Sequence, residues 1–319
     1  MKILVTGADG MLGSNLVRML LEKGFQVSVF LFIYTKANTL NDLKIKRYYG
    51  DITIPHSLDQ AFKENDIIIH AAASTSIWPV RSKKTRNINI VGTQNIINKA
   101  LQFQIKKLIY IGSASSLRTK KDELKNISRT KVNYIESKLY ALELVLKSIK
   151  ENRLPATVIL PTYMIGPFDS KPGSGKLVLN FAKGKIKFYT KGGRNFVHVK
   201  DVANAIINSL GSETNGKSYV IGNKNLTYKE FFGLASNILS RPQPRYLIPD
   251  WIIKIVGFMW EVTAMISKKE PLLNYQTASI SCEKHFSEEN SEQELEITHT
   301  PIPLAIKDCY EWFHENKYL

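Results

Sequence analysis

Short apolar runs alternate with longer amphipathic stretches along the first half of the chain. The apolar runs have the length and composition of strands, and they lie at residues 3–5, 26–34, 48–51, 67–70, 107–111 and 156–160. Between them, apolar positions recur at helical spacing over residues 12–23, 57–63, 89–103 and 134–149. Strands that alternate with helices in this way are typical of βαβ units. We therefore expect an α/β fold built on a doubly wound parallel sheet.

After Pro161 the pattern changes. Gly and Pro become denser, the predicted elements become shorter, and a charged stretch follows at 287–296. We predict a first domain over residues 1–160. We expect residues 161–319 to form a smaller region that shapes a substrate pocket and is interleaved with the last strands of the sheet.

The amino-acid composition does not identify a binding partner. The chain has 319 residues, of which 44% are hydrophobic and 23% charged, as in ordinary globular proteins. An anionic ligand, nucleic acid, a membrane surface or compositional bias would each account for the formal net charge of +16. The lysines are scattered, and no basic stripe is interleaved with aromatic residues. We expect no nucleic-acid partner, and we attribute most of the charge to composition.

The two cysteines and the first residues bear on the compartment. Cys282 and Cys309 fit neither a metal-ligand spacing nor a disulfide framework, so we predict no metal and a reducing environment. The chain runs from Met1 and Lys2 directly into the first predicted strand, which leads us to expect no leader peptide and a cytoplasmic location.

Residues 251–266 are the longest apolar stretch. Lys254 and Glu261 interrupt it, and a spanning helix needs about 20 mostly apolar residues, so we expect no membrane span. The pattern predicts an amphipathic helix, with membrane-surface contact as a less favoured alternative. Core packing, or else a pocket lid, is the expected use of its bulky side chains, Trp251, Ile255, Phe258, Met259 and Val262.

A glycine-rich loop joins the first predicted strand to the first predicted helix. Glycines permit a tight turn and close backbone approach to a pyrophosphate, and the helix N-terminus offers N–H groups and a positive dipole. The pattern GxxGxxG has one residue more than the common G-x-G-x-x-G fingerprint, but the same mechanics apply. We predict a dinucleotide site that includes Thr6, Gly7, Gly10, Met11, Leu12 and Gly13.

The end of the second predicted strand bears on the choice of dinucleotide. An acid there favours NAD, whereas a basic residue accepts the 2′-phosphate of NADP. Phe32 stands at this position, and the segment that follows it to Lys36 holds no acid. We expect Lys36 to contribute to cofactor binding, with NADP preferred over NAD.

A tyrosine and a lysine lie four residues apart in the last helix of the first domain. Tyr134 and Lys138 thus share one helix face, where an ammonium would lower the pKa of a phenol. Ser113 lies just past a strand, at the carboxyl edge of the sheet where ligands of such folds bind. We predict that these three residues are catalytic and that Tyr134 exchanges a proton with a carbonyl or alcohol oxygen.

Together these motifs resemble the extended short-chain dehydrogenase/reductases, of the NAD-dependent epimerase/dehydratase and dihydroflavonol-reductase type. The similarity runs from residue 6 to about residue 244 and is looser beyond. In the order of the family, the matching segments are residues 6–13, 50–52, 70–73, 89–93, 113, 134, 138, 161–167 and 195–203.

The resemblance implies a Rossmann-type fold and assigns further residues. Tyr134 would be the acid/base, Lys138 would bind the nicotinamide ribose and tune Tyr134, and Ser113 would orient the substrate oxygen. The residues expected to contact the cofactor in addition are Asp51, Ile52, Ala71, Ala72, Ala73 and Pro161. Those expected to contact the substrate are Thr75, Tyr163 and Arg194. Relatives of this kind are monomers or homodimers.

Three departures from the family pattern narrow the function. Lys200 replaces the first acid of a usual Asp pair, and Asp201 is expected to cap a helix. Nucleotide-sugar epimerases tend to carry Asn where Tyr163 stands. The 4,6-dehydratases carry an Asp-Glu pair where Ala114 and Ser115 stand, which argues against dehydration.

Three functions remain open. The first is an NAD(P)-dependent oxidoreductase that acts on a carbonyl or secondary alcohol of a small molecule. The second is a nucleotide-sugar epimerase with tightly bound NAD, in which Arg194 and nearby lysines would hold a diphosphate. The third is a non-catalytic NADP sensor, against which the intact Ser113, Tyr134 and Lys138 argue.

Overall fold

The computed structural model describes residues 1–118, 133–267, 269–271, 273–287 and 292–319. Part of the charged stretch at 287–296 therefore lies outside the described residues. The strands are β1 (Lys2–Thr6), β2 (Gln26–Phe32), β3 (Lys46–Gly50), β4 (Ile67–His70), β5 (Lys107–Ile111), β6 (Ala156–Pro161), β7 (Tyr163–Ile165), β8 (Phe188–Tyr189), β9 (Gly193–His198), β10 (Ser218–Ile221), β11 (Lys224–Thr227), β12 (Tyr246–Leu247) and β13 (Lys284–His285).

The helices lie between these strands and on both faces of the main sheet. They are α1 (Met11–Glu22), α2 (Asp59–Lys63), α3 (Lys83–Arg86), α4 (Gly92–Gln102), α5 (Tyr134–Asn152), α6 (Lys176–Ala182), α7 (Val199–Asn208), α8 (Tyr228–Leu239), α9 (Asp250–Ser267), α10 (Tyr275–Ser281), α11 (Glu292–Leu295) and α12 (Ile302–Glu315).

The main sheet is parallel throughout the described chain. Its strand order is β10-β6-β5-β4-β1-β2-β3, so the chain winds first from β1 to β3 and then outward from β4 in the other direction. This confirms the predicted doubly wound α/β fold. The reversal lies between β1 and β4, and in open sheets of this kind ligands bind at the carboxyl ends of the strands beside the reversal.

Two apolar layers cover the sheet. One layer holds α1 and α7, with Leu16 and Val202 fully buried, and the other holds α2, α4 and α5, with Ile97 and Leu142 buried. The strands between them are apolar on both faces, as parallel strands covered by helices must be.

A second core lies beyond β6. Helices α6, α8 and α12 pack around strands β7, β9 and β11, and the fully buried Cys309 and Phe313 of α12 belong to this core. Burial raises the pKa of the Cys309 thiol, which fits a small apolar residue and not a reactive one. Strand β10 returns to the main sheet, and the division at residue 160 stays a prediction.

Several element boundaries differ from the prediction, and two of them have a clear local cause. Strand β2 ends at Phe32 and not at residue 34, because the N–H of Thr35 donates to the Phe32 carbonyl at 2.8 Å and closes a turn. The helix predicted over 89–103 begins as α4 only at Gly92, because its first residues belong to a π-helical turn, Asn87–Val91, which follows α3, a helix that Ser82 caps.

The expected cap of α7 is also wrong. His198 caps this helix, since its Nδ1 accepts the N–H of Lys200 at 2.9 Å. The buried Asp201 carboxylate instead accepts the N–H of Thr300 at 2.9 Å and the hydroxyls of Thr300 and Thr298 at 2.6 and 3.1 Å. It thereby ties the segment before α12 to α7.

Helix α9 forms where the sequence predicts it, but the expected core packing is wrong. Its buried positions are the small residues Gly257 and Ala264. A Cβ added at Gly257 would lie 2.9 Å from the Cβ of Ala278 in α10, so α10 leaves room only for small side chains there. The bulky side chains of α9 are exposed. Among the described residues, no helix has both the length and the hydropathy that crossing a bilayer requires.

Candidate active site

The glycine loop is tightly folded between β1 and α1. Gly7 has φ +70°, which favours glycine, and a Cβ there would lie 2.6 Å from the backbone nitrogen of Ala72. A Cβ at Gly13 would lie 2.6 Å from the Cα of Ala8. At Gly10, by contrast, a Cβ would meet only the Gly7 carbonyl oxygen, at 3.4 Å. The loop therefore has open space above Gly10.

This open space adjoins the first turn of α1. In the described chain no side chain caps that turn. The first N–H groups of a helix have no partner within it, so those at Met11 and Leu12 remain for a ligand. Together with the helix dipole they favour an anion such as a pyrophosphate. The loop geometry thus fits the predicted dinucleotide site.

A chain of buried hydrogen bonds joins β1 to β4 and α4. The N–H of Ala72 donates to Thr6 Oγ1 at 3.2 Å, and Thr6 Oγ1 lies 2.9 Å from His70 Nδ1. His70 Nε2 lies 3.1 Å from Thr93 Oγ1, whose hydroxyl donates to the Asn89 carbonyl at 2.7 Å. Because each hydroxyl has one proton, these contacts assign the proton of a neutral His70 to Nε2. Burial, followed by the charge of Lys138, lowers the pKa of His70 to about 3.

The turn after β2 lies against the glycine loop. The hydroxyl of Thr35 donates to the Asp9 carboxylate at 2.9 Å, and Lys171 Nζ lies 2.7 Å from the same carboxylate. Lys36 follows Thr35 and is exposed, and residues 33–36 hold no acid. The structure therefore places Lys36 beside the loop, and its contact with a cofactor stays a prediction.

Asp51 and Ile52 follow β3 in a fixed turn. The Asp51 carboxylate accepts the N–H and the hydroxyl of Thr53, both at 2.8 Å. The Ile52 carbonyl accepts the Asn95 amide at 2.9 Å, and a Cβ at Gly92 would lie 2.6 Å from Ile52 Cδ1. These contacts hold the turn against α4, at the same edge of the sheet as the glycine loop.

Ser113, Tyr134 and Lys138 come together at the carboxyl end of β5. The Ser113 hydroxyl lies 2.7 Å from the Ser115 hydroxyl, and it is close enough to the phenol of Tyr134 to lower the pKa of that phenol. Lys138 Nζ donates to the Ile111 carbonyl, at the last residue of β5, with a distance of 2.8 Å. The three predicted catalytic residues thus share one site.

The start of α5 fixes where Tyr134 stands. Asn133 caps the helix, because its Oδ1 accepts the N–H of Glu136 at 2.9 Å while Glu136 Oε2 accepts the N–H of Asn133 at 3.1 Å. This capping box makes Tyr134 the first helical residue. Lys138 then lies one turn later on the same face.

Burial dominates the electrostatics of the site. It raises the pKa of Tyr134, and the nearby Ser113 hydroxyl offsets only part of that rise. Burial also lowers the pKa of Lys138 to about 8. The expected lowering of the Tyr134 pKa by Lys138 is therefore wrong for this structure, in which Lys138 contacts the Ile111 carbonyl. Tyr134 is a neutral phenol at neutral pH, and Lys138 is largely an ammonium.

Asn89 joins the two sides of the site, which the sequence analysis did not predict. Its Oδ1 accepts the N–H of Ser74 at 2.7 Å, and its Nδ2 donates to the Ser74 carbonyl at 3.0 Å and to Ser137 Oγ at 2.8 Å. The Ser137 hydroxyl donates in turn to the Tyr134 carbonyl at 2.6 Å. Asn89 therefore ties the loop after β4, with its half-buried residues 71–74, to the first turn of α5.

The hydrogen bonds of the structure say less about the other residues that are predicted to contact the cofactor or the substrate. Pro161 ends β6 beside β10, and Thr75 is exposed in the loop after β4. The Tyr163 hydroxyl donates to the Ser174 carbonyl at 3.1 Å. The guanidinium of Arg194 donates to three carbonyl oxygens, those of Gly193, Ile280 and Glu283. Substrate binding by Thr75, Tyr163 and Arg194 stays a prediction.

The fold and the site define a class of protein that a family comparison supports. The model of the NAD dependent epimerase/dehydratase family matches residues 3–222, and the chain belongs to this family. It is 26% identical over 99% of its length to a putative dihydroflavonol 4-reductase of Synechocystis, 95% of which is covered. It is 24% identical over 99% of its length to sterol demethylase protein B of Methylococcus capsulatus, 99% of which is covered.

Solved structures share the architecture. The crystal structure of gox2253 superposes with a TM-score of 0.82 and 29% identity, over 98% of each chain. The similarity extends over both the main sheet and the second core, so it confirms the fold as a whole.

Proposed function

We propose that the protein is an NAD(P)-dependent oxidoreductase that reduces a carbonyl or oxidises a secondary alcohol of a small molecule, with Tyr134 as the acid/base. The observation that carries this proposal is the position of Tyr134, half-buried in the first turn of α5, where it meets Ser113 and Lys138 at the carboxyl end of β5. Its closeness to the strand-order reversal supports an active site there. The relative named as a putative dihydroflavonol 4-reductase supports the same class of reaction.

The chain's residues fit a dinucleotide. The open space at Gly10 and the uncapped turn of α1 suit its pyrophosphate. A nicotinamide bound beside Tyr134 would supply or accept the hydride. The residues that would hold the dinucleotide are Thr6, Gly7, Gly10, Met11, Leu12, Gly13, Lys36, Asp51, Ile52, Ala71, Ala72, Ala73, Tyr134, Lys138 and Pro161.

The proton chemistry follows from the site's electrostatics. In the reductive direction, Tyr134 donates its phenolic proton to the carbonyl oxygen, which becomes the alcohol. The raised pKa keeps this proton in place at neutral pH until the oxygen becomes basic. Ser113 donates a second hydrogen bond to the same oxygen. Solvent then returns a proton to the phenolate that forms.

NADP is the preferred dinucleotide in this proposal. Residues 33–36 hold no carboxylate to repel a 2′-phosphate, and Lys36 is exposed there beside the loop. The acid nearby, Asp9, is hydrogen-bonded to Thr35 and paired with Lys171. A 2′-phosphate therefore meets a region of positive charge.

The oxidoreductase is favoured over an epimerase because Arg194 donates to backbone carbonyls and Tyr163 to the Ser174 carbonyl. The experiment that separates them follows absorbance at 340 nm with NADPH and a panel of ketones, aldehydes and nucleotide sugars. We expect one NADPH oxidised per molecule of product. Conversion of a nucleotide sugar without net absorbance change would instead establish an epimerase. Tight NADP binding with no conversion of any compound would favour a sensor.

A further inference from the structure

Helix α9 buries two small residues and exposes a set of large apolar ones, which is unusual for a surface helix. Gly257, which packs against α10, and Ala264 are buried, whereas seven large apolar residues on the other side of the helix are exposed. At 100° per residue, these large side chains span an arc of about 120° along a helix about 27 Å long. We call this set the outer face: Trp251, Ile255, Phe258, Met259, Val262, Met265 and Ile266.

The exposure of the outer face is high. Ile266 is 79% exposed, Trp251 65% and Phe258 59%. Contiguous exposed apolar surface of this kind marks an interaction site in a folded protein. The buried side of α9 is already occupied by α10, so the outer face needs a different partner.

The apolar surface continues beyond the N-terminus of α9. Strand β12 leads directly into the helix and pairs with β8, where Tyr246 lies opposite Phe188 with ring centroids 6.3 Å apart. Phe188, Tyr246 and Leu247 are each more than half exposed. The strand pair and the outer face thus present aromatic and aliphatic side chains together.

A basic rim borders this surface. The segments that contain β8 and β12, residues 183–191 and 239–249, hold no acidic residue. Of their cations, Lys191 pairs with Asp250 at 2.7 Å. Within the described part of the chain, none of the others has an acid within ion-pair distance: Lys183, Lys185, Lys187, Arg241 and Arg245. All five are exposed.

We propose that the outer face of α9 docks on an anionic lipid membrane surface, with the helix lying in the plane of the interface. An amphipathic helix that inserts bulky apolar and tryptophan side chains, next to lysine and arginine, is the chemistry that such surfaces bind. The apolar side chains enter the headgroup boundary, and the basic rim contacts the anionic headgroups.

Charge argues against a second copy of the chain on this face. A symmetric dimer through the outer face would bring two basic rims together, on chains that each carry a formal charge of +16. Like charges at an interface oppose association, whereas a negative membrane surface attracts the same rim.

The test is flotation of the purified full-length protein with lipid vesicles. We expect binding to vesicles of phosphatidylcholine with about 30% phosphatidylserine, and much weaker binding to pure phosphatidylcholine or in about 1 M salt. The double variant Ile255→Ser/Phe258→Ser should lose binding by about ten-fold or more. Both side chains point outward, so its thermal unfolding should match that of the wild type.

Two controls distinguish binding through the outer face from non-specific binding to vesicles. Leu304→Ser removes an exposed leucine from α12 and should bind vesicles like the wild type. Lys185→Glu/Lys187→Glu should weaken binding to anionic vesicles more than Lys44→Glu/Lys63→Glu, which makes the same charge change at exposed lysines elsewhere.

The proposal fails if the wild type does not bind anionic vesicles at low salt. It also fails if Ile255→Ser/Phe258→Ser binds them as well as the wild type does. A dimer in solution that this double variant dissociates, without vesicle binding, would assign the outer face to a second copy.

Discussion

His70 shows how a buried residue acts through the proton that it holds. Its Nδ1 accepts a hydrogen bond from the Thr6 hydroxyl, and its Nε2 donates to the Thr93 hydroxyl. The single proton of the ring is therefore on Nε2. A second proton, on Nδ1, would displace the proton that the Thr6 hydroxyl donates to this nitrogen, and it would be close to the charge of Lys138. The neutral ring therefore links β1, β4 and α4 under the glycine loop.

This arrangement predicts a loss of stability in acid. The folded-state pKa of His70 is about 3, below the ordinary 6.5, so between these values the unfolded chain binds the extra proton. Stability is then full above about pH 6.5 and falls toward pH 3, by up to about 1.4 kcal/mol per pH unit.

Urea unfolding at pH 7 and 5 should show a smaller pH-dependent loss of stability in His70→Asn than in the wild type. His56→Asn, at a histidine whose side chain is 92% exposed, should keep the wild-type pH dependence. Equal pH dependence in the wild type and His70→Asn would contradict this account.

Lys36 carries the predicted choice of dinucleotide. Lys36→Glu should weaken NADPH binding about ten-fold or more and leave NADH binding within about three-fold, because only NADPH has the 2′-phosphate. Fluorescence titration of both coenzymes measures this directly. Lys44→Glu, the same change at another exposed lysine, is the control. A parallel loss for both coenzymes would show that Lys36 does not meet the 2′-phosphate.

At the scale of elements, two glycines of the loop are expected to have different roles. Gly13 is needed for stable folding, whereas Gly10 is needed for coenzyme binding. Gly13→Ala places a Cβ 2.6 Å from the Ala8 Cα, and we expect the free energy of unfolding to fall by roughly 1–3 kcal/mol, measured by urea unfolding. Gly10→Ala meets only the Gly7 carbonyl, so it should cost about 1 kcal/mol or less. Because its methyl group enters the open space of the loop, it should still weaken NADPH binding about ten-fold or more. Stable folding with unchanged NADPH affinity would mean that the pyrophosphate lies elsewhere.

Sequence patterns predicted some elements better than others. Strands Ile67–His70 and Lys107–Ile111 match the prediction because their unbroken apolar runs suit only a doubly covered strand. The π-helical turn before α4 and the exposed face of α9 were missed, since periodicity shows that a helix forms but not which face it buries. Asn89 was missed as a link because its partners Ser74 and Ser137 are distant in sequence.

At the scale of the whole molecule, the basic residues lie in different environments: at the candidate active site, beside the glycine loop and on the exposed surface. Lys138 is buried at the candidate active site, and Lys171 pairs with Asp9 beside the glycine loop. The exposed lysines and arginines near β8 and β12 form the rim of the proposed membrane face. The sequence analysis attributed most of the charge to composition because the lysines are scattered along the chain, and only the fold brings this group together.

The central claim is that Tyr134 exchanges the proton while hydride is transferred. The most direct measurement is the single-turnover rate of NADPH oxidation at 340 nm with a carbonyl compound that the wild type reduces. Tyr134→Phe should slow this rate by about 10²–10⁴-fold while coenzyme affinity stays within about three-fold. Tyr49→Phe, at an exposed tyrosine of β3, should leave both unchanged. Reduction by Tyr134→Phe at the wild-type rate would contradict the account.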